Sequence, residues 1–138
     1  MHTLTHAVIS GLLSIILYPI YGVNVIYLFL GGFFMDIDHV FMIPFKLKYL
    51  NISKQYRQIM HYIKNKSFES VKETLFILHS IEFLIILLVM SFYSEIFILI
   101  LIGVVLHHLL DMIYEFFVLG ELVKVNNMSA ILWILRRI

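Results

Sequence analysis

Four runs of predominantly apolar residues, each close to the length an α-helix needs to cross a bilayer, dominate this chain. They fall at about 4–22, 24–45, 71–92 and 95–118, and about 20 residues rising 1.5 Å each cover a hydrocarbon core of roughly 30 Å. Composition agrees with that pattern: 62% of the 138 residues are hydrophobic, against roughly 45–50% in soluble globular domains. The expected fold is all-α and polytopic, a single integral-membrane domain over 1–138 built as a four-transmembrane-helix bundle.

The breaks between the runs set the pairing. Pro19, Gly22 and Asn24 separate the first two runs, and Ser91 to Ser94 separate the last two, so each pair is expected to fold as a tight antiparallel hairpin. Between the hairpins, Ile52, Tyr56, Ile59, Met60 and Ile63 recur at helical spacing while Lys54, Arg57, His61 and Lys64 occupy other faces. That periodicity predicts an amphipathic interfacial helix at about 50–65. Ser70 and Glu73 have the spacing of a capping box and mark the start of the third helix. The tail, about 128–138, is expected to form a second, short interfacial helix. No basic residue precedes the first run and no small-residue cleavage pattern follows it, so the first helix is expected to stay as an anchor.

All ten basic residues lie in two places. Lys46, Lys48, Lys54, Arg57, Lys64, Lys66 and Lys72 sit in the central connection, and Lys124, Arg136 and Arg137 sit in the tail. With four crossings both regions fall on one side, which the positive-inside rule makes cytoplasmic, with both termini. Membrane lipids are the partners this cluster implies. A formal net charge of +1 gives no strong nucleic-acid signal. Cysteine is absent, which removes disulfides, thiolate metal sites and a cysteine nucleophile together.

Against this background the ionisable residues inside the runs demand an explanation. Threading the topology places Asp36, Asp38, His39, His79, Glu82, His107, His108, Asp111 and Glu115 in the cytoplasmic half of the bundle and His6 near the cytoplasmic start of the first helix; groups six to ten residues from a cytoplasmic helix end lie roughly 9–15 Å deep. Asp36 with His39, His79 with Glu82, and His107 with Asp111 each share a face of their own helix. Asp38 does not share a regular helical face with Asp36, and Gly31 and Gly32 before it permit either close packing or a local distortion. His108 points about 100° from His107 and reads as a supporting residue. Glu115, near a helix end, is expected to face headgroups.

Carboxylates in this setting are costly. Each ionised acid at the bilayer centre costs on the order of 2.5–3.5 kcal/mol, and the five acids together cost over about 10 kcal/mol. Apart from Lys72 at the very start of the third run, no lysine or arginine lies inside the runs to offset this. A divalent cation neutralises several carboxylates and takes neutral imidazoles as ligands in the same event. A lone intramembrane histidine is more often an interhelical hydrogen-bonder, but four helices contributing at one depth favour a metal site. The candidate ligands are His6, Asp36, Asp38, His39, His79, His107 and Asp111. Zn²⁺ suits the ligand set best, Mn²⁺, Fe²⁺ and Mg²⁺ are compatible, and the ligands suffice for one or two ions.

Thr5 and His6, "DIDH" at 36–39, "HS" at 79–80 and "GVVLHHLLD" at 103–111 resemble, in order, the motifs of the small membrane-bound, metal-dependent hydrolases of bacteria and archaea, often catalogued as inner-membrane LexA-binding hydrolases. The resemblance covers most of the chain. It implies that Asp36, Asp38, His39, His107 and Asp111 are metal and catalytic residues, with His6 and His79 as further family histidines, in an inner-membrane protein. Met35 stands where such proteins usually have proline, and Thr74 where many have a histidine; Glu82 is the candidate replacement for the latter.

The expected activity is therefore a cytosol-facing, metal-dependent hydrolysis of an ester or phosphoester in a lipid-like substrate. An unligated carboxylate, Asp38 or Glu82, would serve as general base. Two alternatives stand beside it: a metal-ion or proton transporter, and a metal-clamped structural or regulatory protein without catalysis. The outer halves of helices three and four, "FLIILLVM" and "EIFILILIG", are almost wholly apolar and favour a one-sided pocket over a path. Homo-oligomerisation is compatible with all three.

Overall fold

The computed structural model describes residues 3–38, 76–119 and 129–135. His39, Thr74, the expected interfacial helix at about 50–65 and all ten basic residues lie outside the described residues. Within them every regular element is helical, with no strand. Helix α1 spans Thr3–Tyr21, and a 3₁₀ turn at Gly22–Asn24 leads into α2, Val25–Phe33, which tightens into a second 3₁₀ turn at Phe34–Asp36. Helix α3 is Ile81–Ser91, α4 is Glu95–Tyr114 and loosens into a π turn at Glu115–Leu119, and α5 is Ala130–Leu135.

The first hairpin forms where its sequence predicts. Gly22 takes φ +55°, a left-handed conformation that costs glycine little. Pro19 lies inside the end of α1 rather than in the turn. Ser14 ties the two helices together, its Oγ donating to the Ser10 carbonyl at 2.8 Å and to the Val25 carbonyl at 3.3 Å.

Helix α4 is the hub, touching α1, α2 and α3. Its crossing with α2 is a contact of backbones. A Cβ on Gly103 would collide with the Leu28 carbonyl and stand 2.7 Å from the Gly32 nitrogen, and one on Gly31 would stand 3.1 Å from the Ile100 Cα. Small residues at such crossings let helices approach until dispersion and weak backbone contacts hold them. Both options that Gly31 and Gly32 left open are realised: the helices pack closely, and the chain then tightens into the 3₁₀ turn that carries Asp36.

The third run departs from expectation. Within the described residues its helix begins only at Ile81, because Ser80 caps it: the Ser80 Oγ accepts from the Phe83 N–H at 3.2 Å. Phe76 to Ser80 form turns instead, with the His79 N–H on the Phe76 carbonyl and the Ser80 N–H on the Ile77 carbonyl. Eleven helical residues reach about 16 Å, roughly half a hydrocarbon core. Residues 71–75 lie outside the described residues. Two stretches, Thr3–Asp36 and Glu95–Phe117, are long and apolar enough to cross a membrane. The first of them is the α1–α2 hairpin taken end to end.

Polarity runs inside out. Buried positions include His6, Ser10, Ser14, Asp38, His79, Ser80, His107, Asp111 and Glu115, while the small apolar core is Met35, Leu87 and Val104 with Leu28 and Leu99. Large apolar side chains such as Leu4, Ile15, Ile16, Ile85, Ile86, Val105 and Leu109 are exposed.

Candidate metal centre

His107 is the pivot of the buried polar cluster. It lies on α4 one turn beyond Gly103, so the close crossing with α2 brings its ring against the Gly32 carbonyl, to which Nδ1 donates at 2.8 Å. A carbonyl only accepts, so this bond places the proton of a neutral ring on Nδ1 and leaves Nε2 with its lone pair. That lone pair faces other acceptors. Asp36 Oδ1 and Asp111 Oδ2 each stand 3.5 Å from it, and His79 Nε2 stands 3.3 Å away.

Each neighbour reaches the cluster from a different element. Asp111 follows His107 by one helical turn of α4, and its other oxygen, Oδ1, meets His6 Nε2 of α1 at 3.2 Å. The His6 and His107 rings stack at 3.8 Å with an interplanar angle of 17°. Asp36 comes from the 3₁₀ turn after α2, where Thr3 Oγ1 donates to its Oδ2 at 2.8 Å. His79 comes from the turn before α3, and Asp38 holds that turn: Asp38 Oδ2 lies 3.1 Å from His79 Nδ1 and accepts the Leu78 N–H at 3.2 Å.

The histidine and aspartate expectations are thereby located one by one. His6, Asp36, His79, His107 and Asp111 come together in two overlapping buried groups that could hold a metal ion, His6–His107–Asp111 and Asp36–His79–His107. Asp38 belongs to neither group and sits on the far nitrogen of His79. It occupies the position from which a carboxylate fixes the tautomer and orientation of a metal-ligating histidine. Asp36 and Asp38 therefore need no common helical face, since Asp36 stands by His107 Nε2 and Asp38 by His79 Nδ1. His39 lies outside the described residues.

Glu82 does not join His79. With the helix starting at Ile81, the two residues sit on different elements, and the Glu82 carboxylate turns to the C-terminal segment. It accepts from Ser129 Oγ at 2.5 Å, Ala130 N at 2.9 Å and Ile131 N at 3.2 Å. These N–H groups open α5 and have no partner within that helix. His108 stacks on His79, ring centroids 5.4 Å apart, which agrees with a supporting role. Glu115 is buried at 6% exposure and does not face outward as expected, because α4 carries it one further turn along the face of His107 and Asp111. Thr3 escaped sequence reasoning altogether. An exposed hydroxyl 33 residues from its partner leaves no local signal.

The chemistry of the donor set fits a cation. Around His107 Nε2 stand His79 Nε2 at 3.3 Å and carboxylate oxygens of Asp36 and Asp111 at 3.5 Å, the nitrogen and oxygen donors that ligate divalent ions. On α1, His6 Nδ1 is buried and makes no hydrogen bond, so Asp111 is the partner that orients the ring. Each group supplies two imidazoles and one carboxylate. Three protein ligands leave a coordination position open. No protein-family model, characterised protein or solved structure matches the chain.

Proposed function

We propose that this chain is an integral-membrane, metal-dependent hydrolase whose His/Asp centre, near the cytoplasmic side of a four-span bundle, acts on an ester or phosphoester of a lipid-like substrate. The observation that carries the reading is the spacing around His107 Nε2. With metal–nitrogen bonds of about 2.0–2.1 Å, the ligand–ligand edge of a tetrahedron is roughly 3.3–3.4 Å. Within the group Asp36–His79–His107, the contacts of His107 Nε2 with His79 and Asp36 are 3.3 and 3.5 Å. Zn²⁺ is the ion this edge and ligand set favour, with Mn²⁺ or Fe²⁺ next.

The membrane setting is supported by the inverted polarity and by two stretches of sufficient length and hydropathy. An apolar exterior around a polar interior is the distribution a lipid solvent selects. The ordered resemblance of His6, Asp36, Asp38, His79, His107 and Asp111 to the membrane-bound hydrolases points the same way.

When bound, a divalent ion supplies Lewis-acid polarisation of the substrate oxygen and an activated water. The chain's own residues do the rest. Gly32 and Asp38 fix the His107 and His79 rings, and Thr3 holds Asp36. Asp36, whose side chain is 14% exposed where His107 is fully buried, marks the side from which water and a headgroup arrive. Asp38, engaged by His79 and Leu78, is better suited to positioning than to proton abstraction, and Glu82 to holding α5. Asp36, a ligand whose other oxygen is held by Thr3, is thus the carboxylate nearest the arriving water. Around the buried Leu99 of α4 the run is apolar, which favours a one-sided pocket over a transport path.

The test is metal analysis of detergent-purified protein with phosphate or fatty-acid release from a panel of lipid phosphates and esters. Stoichiometric metal and turnover that both vanish in His107→Ala support the proposal. Metal-free protein, or metal-loaded protein inert across both ester classes, refutes it.

A further inference from the structure

Helix α4 has aromatic side chains at both of its ends. Phe92 and Tyr93, 82% and 85% exposed, occupy the turn before it, and Tyr114 closes it, followed by the exposed Phe116 and Phe117. The large apolar side chains that α4 exposes in between are Ile98, Val105, Leu109, Met112 and Ile113, none of them aromatic. The helix is 20 residues long, which is about 30 Å and matches the thickness of a hydrocarbon core. The first hairpin turn stands level with the upper of these two ends. Gly31 lies against Ile100 and, further on, Asp36 lies against His107, so α2 and α4 run in the same direction. Seven residues back from Gly31 and from Ile100 come Asn24 and Tyr93. Tyr18 and Tyr21 lead into that first turn, Tyr18 with its side chain exposed.

We infer that these two levels are membrane-interface girdles: the chain meets the headgroup boundary of one leaflet through Tyr18, Tyr21, Phe92 and Tyr93, and that of the other through Tyr114, Phe116 and Phe117. The inference rests on the integral-membrane reading above and fixes the depth of its site. Tyrosine suits the boundary because its ring belongs among acyl chains and its hydroxyl in water. Charge agrees with the assignment. Glu95 opens α4 at the first girdle, and neither hairpin turn contains a lysine or arginine. All ten basic residues belong to the sequence that follows the opposite ends of α2 and α4, as expected where a leaflet carries anionic headgroups. His107 precedes Tyr114 by seven residues and Asp111 precedes it by three, about 10 Å and about 5 Å along the helix. The His/Asp cluster therefore lies just beneath the second girdle and about 20 Å from the first. A lipid resident in the second leaflet reaches that depth without leaving the bilayer.

The chain has no cysteine, so one spin label at a time is attached to Phe92→Cys, Ile98→Cys, Val105→Cys and Leu109→Cys in the full chain, reconstituted in vesicles of phosphatidylcholine and phosphatidylglycerol. Relaxation by oxygen against relaxation by a water-soluble nickel chelate reads the depth of each label. The expected result is a Phe92 label among the headgroups, Ile98 and Leu109 labels each about 5–8 Å inside the hydrocarbon from opposite sides, and the Val105 label deepest at about 14 Å. A depth that keeps increasing from Phe92 through Leu109, a Phe92 label buried among acyl chains, or a Leu109 label free in water overturns the girdles and leaves the metal-dependent reading standing. Equal nickel access at all four positions overturns the girdles and the integral-membrane reading together. Where Leu109→Cys fails to fold, Met112→Cys takes its place on the same exposed face, with an expected depth of about 3 Å.

Discussion

Gly103→Ala joins the fold to the site more directly than any ligand substitution. The new methyl would collide with the Leu28 carbonyl and stand 2.7 Å from the Gly32 nitrogen, where comfortable contact needs about 3.5 Å. Neither neighbour is the tip of a flexible side chain. The backbones of α2 and α4 must therefore separate by roughly 1 Å, at the one place where His107 Nδ1 donates to Gly32 over 2.8 Å. Overpacking of this kind costs about 1–3 kcal/mol, and losing a buried hydrogen bond adds about 1 kcal/mol. A total of about 2–4 kcal/mol corresponds to a thermal midpoint lower by roughly 7–14 °C in a chain of this size. Metal affinity should fall about 10–100-fold as well, because the bond that fixes the ring of His107 is stretched. Differential scanning fluorimetry in detergent reads the first effect and competition with a fluorescent chelator reads the second. A variant that melts with wild type and keeps its metal affinity would refute the backbone-contact account of the α2–α4 crossing.

Other substitutions separate the roles within the cluster. Asp38→Asn should leave the fold intact and weaken metal binding about 10–100-fold by releasing the tautomer of His79, measured by chelator competition. Thr3→Ala should lower turnover while leaving metal stoichiometry unchanged, and Thr3→Ser should restore it, since Asp36 needs only the hydroxyl; steady-state rates on the best lipid substrate decide this. Glu82→Gln should leave bound metal untouched and speed hydrogen exchange at Ala130 and Ile131, whose N–H groups the carboxylate accepts; loss of metal instead would place Glu82 in the centre. Bound metal should decline as pH is lowered, because protons compete for the same imidazole and carboxylate atoms, followed by equilibrium dialysis.

Much of the candidate site was legible because its signals are local and chemical. His107 and Asp111 sit four apart in an apolar run with no basic neighbour, and helix α4, Glu95–Tyr114, begins where Ser94 interrupts that run. His6, Asp36 and His79 followed from depth alone. What escaped depends on tertiary contacts. Ser80 caps α3 and turns His79 out of the helix, a signal that an apolar run hides. Once that turn exists, Asp38 reaches the second nitrogen of His79 and Glu82 is free to meet Ser129, 47 residues further on. Gly103 reads in sequence as a weak spot in a helix, yet it sets the distance between α2 and α4 and so the orientation of His107.

X-ray absorption at the metal edge of zinc-reconstituted protein in detergent tests the central claim most directly. Buried imidazole and carboxylate ligation predicts a nitrogen and oxygen shell at about 2.0–2.1 Å with the outer-shell scattering of imidazole, and loss of part of that scattering in His107→Ala. A shell of oxygens without imidazole scattering, or zinc that washes away, would contradict it.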